Sequence, residues 1–134
     1  NDADLPWDSA LLSGGALRFA AFTTDNRLGF FTGLPRMATL DTSDAYLNPG
    51  GRTLVDEVEV VTDCPDFTLK AITSDKHGGA RTVGPAKTPV SSTGFLYMRS
   101  DSRIHAFRME IPAGTDWNHV MGVRPTNARR TGKR

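Results

Sequence analysis

The sequence predicts an all-β fold, an antiparallel β-sandwich or jelly roll of about eight short strands. Three observations predict it. Apolar residues recur with a period of two over short runs, and clusters of Gly, Pro, Asn, Asp and Ser separate those runs. No segment longer than about ten residues carries a 3.6-residue period.

The elements follow in chain order. Ala16–Thr23 alternates Leu17, Phe19, Ala21 and Thr23 against Ala16, Arg18, Ala20 and Phe22, and Leu28–Gly33 returns beside it across the turn Asp25-Asn26-Arg27. Met37–Thr42 is a third short strand, closed by the loop Asn48-Pro49-Gly50-Gly51. Thr53–Val61 alternates Val with Glu, a pattern that suits a half-exposed sheet better than a helix. Phe67, Leu69 and Ala71 share one face of the next run. The stretch His77–Ser92 reads as a long polar loop, followed by strands Phe95–Arg99 and Arg103–Ile111. In the latter, Phe107, Met109 and Ile111 alternate with Arg108 and Glu110. After the turn Pro112-Ala113-Gly114, Trp117–Val123 places Trp117, His119, Met121 and Val123 on one side.

At 134 residues the chain has the length of one domain, and 38% hydrophobic residues give it a modest core. The single cysteine excludes an internal disulfide framework and any zinc site built on paired cysteines. No run approaches the roughly 18 apolar residues of a membrane span, and Asn1-Asp2-Ala3-Asp4 does not open like a signal peptide, so the sequence reads as a soluble domain. Without an initiator methionine it reads as a fragment or processed product of a longer chain. Three regions are expected: a linker or docking arm over 1–15, entered at Pro6 and Trp7; the sandwich over 16–124; and a basic, solvated tail over 125–134.

The net charge of +1 hides a division. Residues 1–67 hold four basic and eleven acidic residues, a net of −7, whereas residues 68–134 hold twelve basic and four acidic residues, a net of +8. Either the halves neutralise each other within one fold, or an acidic face of one copy meets a basic face of the next.

Catalytic and metal signatures are sparse. His77, His105 and His119 have no metal-ligand spacing, and His105 and His119 read as ordinary half-buried strand residues. Cys64 reads as a structural thiol, and Gly78-Gly79 and Gly84 lack the remainder of a phosphate loop. Leu40-Asp41-Thr42-Ser43 is close to the apolar-Asp-Thr-Gly signature of dimeric aspartic proteases, in which two carboxylates share a proton. Here Ser43 replaces the glycine, and the alternative reading is that Asp41 and Thr42 end a strand in an Asx-type turn.

Several longer stretches carry a family resemblance. They are Phe22–Gly33, Met37–Thr42, Gly51-Arg52 before a Val-rich strand, Arg99–Arg108, Ile111–Trp117, Gly122-Val123 and the ending Thr131–Arg134. Together they resemble the C-terminal β domain of large tailed-bacteriophage tail proteins, and more distantly the ending of the nozzle (DNA-stabilisation) protein of short-tailed phages. The nozzle family's larger part is a β-propeller, which these residues do not contain, so a neighbouring tail or head accessory component stays open.

The resemblance implies a non-enzymatic virion structural protein without a cofactor, assembled in the host bacterial cytoplasm. Its partners would be copies of itself in a cyclic oligomer and other tail or head proteins, with non-specific proximity to packaged DNA. Heterologous contacts between acidic and basic faces would close such a ring. The candidate subunit-interface residues are Arg99, Arg103, Arg108, Arg124, Arg129 and Arg130 on the basic side and Glu57 and Glu59 on the acidic side. A carbohydrate-binding or receptor-contacting module using Trp7, Tyr46, Tyr97 or Trp117, a nucleic-acid binder using the C-terminal cations, and a protease using Asp41 are the alternatives.

Overall fold

The computed structural model describes residues 20–22, 24–30 and 34–132. Contacts divide the chain after Gly33 into two units. The first contains one hairpin, in which β1 (Ala20–Phe22) pairs antiparallel with β2 (Leu28–Phe30), Ala21 opposite Gly29. Asn26, with φ of 57°, supplies the left-handed residue of the turn, a conformation that Asn tolerates better than most side chains. The expected arm over 1–15, and the parts of the first two expected strands outside this hairpin, lie outside the described residues.

The second unit is a sandwich of two antiparallel sheets. One sheet has the order β3 (Ala38–Asp41), β8 (Ile104–Ile111), β5 (Thr68–Ser74), β6 (Thr82–Val83); the other has β7 (Phe95–Ser102), β4 (Arg52–Thr62), β9 (Val120–Thr131). Among the described residues every element is a strand. The all-β expectation therefore holds, although β4 and β9, at 11 and 12 residues, are long rather than short.

The core lies where the inner faces meet. Val55, Val58 and Leu96 come from the three-stranded sheet, and Leu69, Phe107, Met109 and Ile111 from the four-stranded one. Leu69, Leu96 and Ile111 are completely buried, and each such side chain stabilises the fold by about 1.5–3 kcal/mol relative to exposure. The shared face expected of Phe67, Leu69 and Ala71 is buried as a set.

Bulges explain where simple alternation fails. Along β4, Thr53 and Val55 are buried; the register against both neighbours then shifts between Val55 and Glu57, and burial resumes at Val58. An extra residue at Asp56 resets the parity, which leaves Glu57 and Glu59 off the inner face. Two further shifts interrupt the pairing of β4 with β9, between Glu57 and Val58 and between Val61 and Thr62, and the latter resets the parity of β9 at Met121. Val120 and Val123 pack on the core, while Met121, expected on the same side as Trp117 and Val123, is 77% exposed. Trp117 packs against the core from the loop before the strand.

Two expected loops are partly strand. The run 77–92 lies along the free side of β5: Val83 pairs with Ile72, Lys87 bridges Leu69, and Gly84 N–H donates to Ala71 O at 2.8 Å. A Cβ at Gly84 would stand 3.3 Å from that same carbonyl, so glycine fits the close approach. The expected basic tail from residue 125 is also corrected, because β9 runs through it to Thr131, in register with β4 as far as Arg52. Pairing partners on β4 hold these cations in an edge strand, and Pro125, which has no N–H to donate, sits beside a register shift on that edge.

Candidate assembly surface

The acidic and basic halves meet inside the fold. Arg81 pairs with Asp44 at 2.7 Å, Arg108 with Asp41 at 2.7 Å, His119 with Asp63 at 3.4 Å and Arg129 with Asp56 at 3.5 Å, and Arg124 pairs with Glu59. Each contact joins a group from residues 68–134 to an acid from residues 1–67. The topology dictates it, because β9 lies on β4 and β8 lies on β3, so both pairings cross the chain's midpoint. These contacts neutralise part of the charge division within one chain.

The candidate interface residues divide accordingly. Arg108, Arg124, Arg129 and Glu59 have intrachain ion partners, and Glu57 Oε1 accepts from Thr126 Oγ1 at 2.8 Å. Arg99, Arg103 and Arg130 are exposed and make no ion pair among the described residues. Thr53 is opposite both Ser102 and Arg130, which places Arg103 and Arg130 at the same end of the three-stranded sheet. Arg99 occupies β7 at φ of 48°, a left-handed conformation unusual for arginine.

At that end Arg52 is the hub. Its Nη1 donates to Asp75 Oδ1 at 2.6 Å and its Nη2 to Asp101 O at 2.9 Å, while Thr131 Oγ1 donates to Asp101 Oδ1 at 2.6 Å. At the other end Asp63 is a clamp. Its carboxylate accepts from the Asn118 and His119 backbone N–H groups at 3.0–3.1 Å and from Asn118 Nδ2 at 2.9 Å. These donors, His119 N–H first, pull the Asp63 carboxyl down to about 2.

Asp41 is committed to Arg108. Both carboxylate oxygens accept from that guanidinium, at 2.8 and 2.7 Å, and this hydrogen bonding holds the carboxyl below its usual range. A carboxylate engaged in this way is poorly placed to share a proton with a second carboxylate. Cys64 is buried, with Sγ 3.2 Å from Asp66 O, and its backbone N–H donates to Thr62 Oγ1 at 3.0 Å. The histidines occupy three different settings: His77 is exposed in the β5–β6 turn, His119 flanks the Asp63 clamp and His105 is fully buried.

Sequence reading missed the Arg52 hub, the Asp63 clamp and the position of His105. Their partners lie 23 to 56 residues away or, for His105, across a corner between sheets, and no local motif encodes such pairings. Neither a protein-family model, nor a curated protein, nor a solved structure matches this chain.

Proposed function

We propose that this chain is a non-enzymatic assembly domain of a tailed-phage virion, built into the tail through contacts with further copies of itself and with neighbouring virion proteins. The reading begins from the sequence resemblance, whose densest stretch, Arg99–Arg108, is the corner joining the two sheets. The observation that carries it is the trio Arg99, Arg103 and Arg130, exposed cations without an acidic partner among the described residues. Arg108, Arg124 and Arg129 would have to surrender internal partners to join an interface, whereas this trio would not. Native mass spectrometry of the purified chain tests the proposal. Particles of one stoichiometry support it, and single chains at every concentration count against it.

A second reading, a carbohydrate- or receptor-contacting module, is favoured by Tyr97 and Tyr46, which are 53% and 52% exposed. Tyr97 is opposite Glu57 on the three-stranded sheet, an aromatic ring beside a carboxylate of the kind that sugar sites use. Binding on a glycan array that disappears in Tyr97→Ala would favour this reading over assembly.

A further inference from the structure

The β7–β8 corner carries a buried histidine whose surroundings favour its neutral form. β7 belongs to one sheet and β8 to the other, with Arg103 alone between them, so the chain changes sheets within one residue. Contacts at this corner join elements of the two sheets. His105 Nε2 lies 3.2 Å from Ser100 O, and Ser102 Oγ donates to Ser74 O at 2.8 Å. A carbonyl oxygen only accepts, so Nε2 must carry the hydrogen and the neutral ring leaves a lone pair on Nδ1. That Nδ1 is buried with no hydrogen-bonding partner among the described residues, and Thr53 Oγ1, on strand β4 beside β7, is in the same condition.

The surroundings do not welcome a second proton. His105 is completely buried in β8. β5 sets Thr73 opposite it, and the segment before β4 sets Ala45, which exchanges backbone hydrogen bonds with it at 2.9 and 3.0 Å. The charged groups acting on the ring are Arg52 from β4, which opposes the imidazolium, and Asp101 from β7, which favours it. Asp101 is engaged elsewhere, by Thr131 at 2.6 Å and by Arg52. A proton arriving from solvent on Nδ1 would therefore lose its hydration and gain no acceptor.

We infer that His105 is an acid-released latch between the two sheets: the corner stays closed while the imidazole is neutral, and it opens when Nδ1 takes up a proton. Opening breaks the His105–Ser100 contact and frees residues 100–107 to exchange with solvent, while the far end of β8 remains paired. The inference concerns this corner alone and does not depend on the assembly reading.

The linkage fixes the sign of the effect and its upper limit. Burial, first among the causes, pushes the closed-state imidazole below its ordinary value of 6.5, whereas the open ring titrates near that value. Between the two the open state holds more protons, so the closed corner is favoured above pH 6.5 and weakens as pH falls. Proton uptake on opening raises the opening equilibrium between about pH 7.5 and 5.5, by at most about tenfold for one proton.

Amide hydrogen exchange on the intact chain tests the latch through protection factors, which divide out the intrinsic pH dependence of exchange. The expected result is a loss of protection, of up to about tenfold, over residues 100–107 on that pH change, with Met109–Ile111 unchanged. His105→Gln keeps an amide donor for Ser100 O and takes up no proton in this range, so its corner should lose the pH response. Equal protection of the wild-type corner at both pH values would overturn the inference, as would an undiminished response in His105→Gln. If that variant does not fold, the wild-type His105 imidazole resonances decide the matter. The ring should resist protonation below pH 6.5 while the corner is closed, and its protonation with the corner still protected would overturn the latch.

Discussion

Arg108 grips Asp41 with two parallel hydrogen bonds, Nε to Oδ1 at 2.8 Å and Nη2 to Oδ2 at 2.7 Å, across the pairing of β8 with β3. Sixty-seven residues separate the two in sequence, and they come from halves of opposite net charge. The contact condenses the main physical theme of the molecule. Its sheets are wound so that charges distributed unevenly along the chain become neighbours in space.

Both side chains of that pair are more than a third exposed, at 37% and 39%, so solvent screens it. Asp41→Asn should therefore cost no more than about 1 kcal/mol by urea denaturation at neutral pH. Hydrogen bonding to Arg108 lowers the Asp41 carboxyl in the fold, so its contribution is complete above 3.8 and is lost as pH falls through the lower folded value. The difference between wild type and Asp41→Asn should shrink below that point.

Asp63 predicts a second acid transition. Its carboxyl stands at about 2 in the fold against 3.8 when free, so the clamp on Asn118 and His119 holds above pH 3.8 and is released as pH falls through about 2. Trp117, next to the clamped residues and packed on the core, should report the release as a red shift of fluorescence. Asp63→Ala should show that red-shifted emission already at neutral pH.

The parity of β9 is tested by two substitutions. Leu96→Ala, at a completely buried site, should cost about 2–5 kcal/mol of unfolding free energy. Met121→Ala, at a site 77% exposed, should stay within about 0.5 kcal/mol of wild type. Uninterrupted alternation along Trp117–Val123 would put Met121 on the side of Trp117 and Val123, which pack on the core, and would make the two losses similar.

Ending the chain after Arg124 separates a solvated tail from a strand. A tail would be dispensable, whereas β9 pairs with β4 from Val120 to Thr131. The shortened chain should melt more than about 5 °C lower, a shift equivalent to roughly 1 kcal/mol or more.

What the sequence made legible, and what it did not, has a physical pattern. Phe107, Met109 and Ile111, like Phe67, Leu69 and Ala71, alternate without interruption because the strand around them pairs without a bulge, and their burial was readable residue by residue. Thr53–Val61 was readable as a strand but not as a face, because the shift at Asp56 resets parity for reasons that lie in its partners. β6 was unreadable because backbone hydrogen bonds to β5 form it, with hardly any apolar signal. The cations from residue 125 onward looked like a tail because the strand that holds them, β4, precedes them by some seventy residues, as Asp56 precedes its partner Arg129. His105 showed the alternation of a core residue, but nothing in its neighbourhood along the chain revealed that its ring would reach Ser100 O in the other sheet.

The central claim is that the cations without an ion pair among the described residues, Arg99, Arg103 and Arg130, join one copy to the next. Light scattering of the purified chain at low and at high salt tests it most directly. The account predicts a single multiple of the 14.5 kDa chain mass at low salt that falls toward one chain as salt screens the contacts. A single-chain mass already at low salt, or an oligomer indifferent to salt, would contradict it.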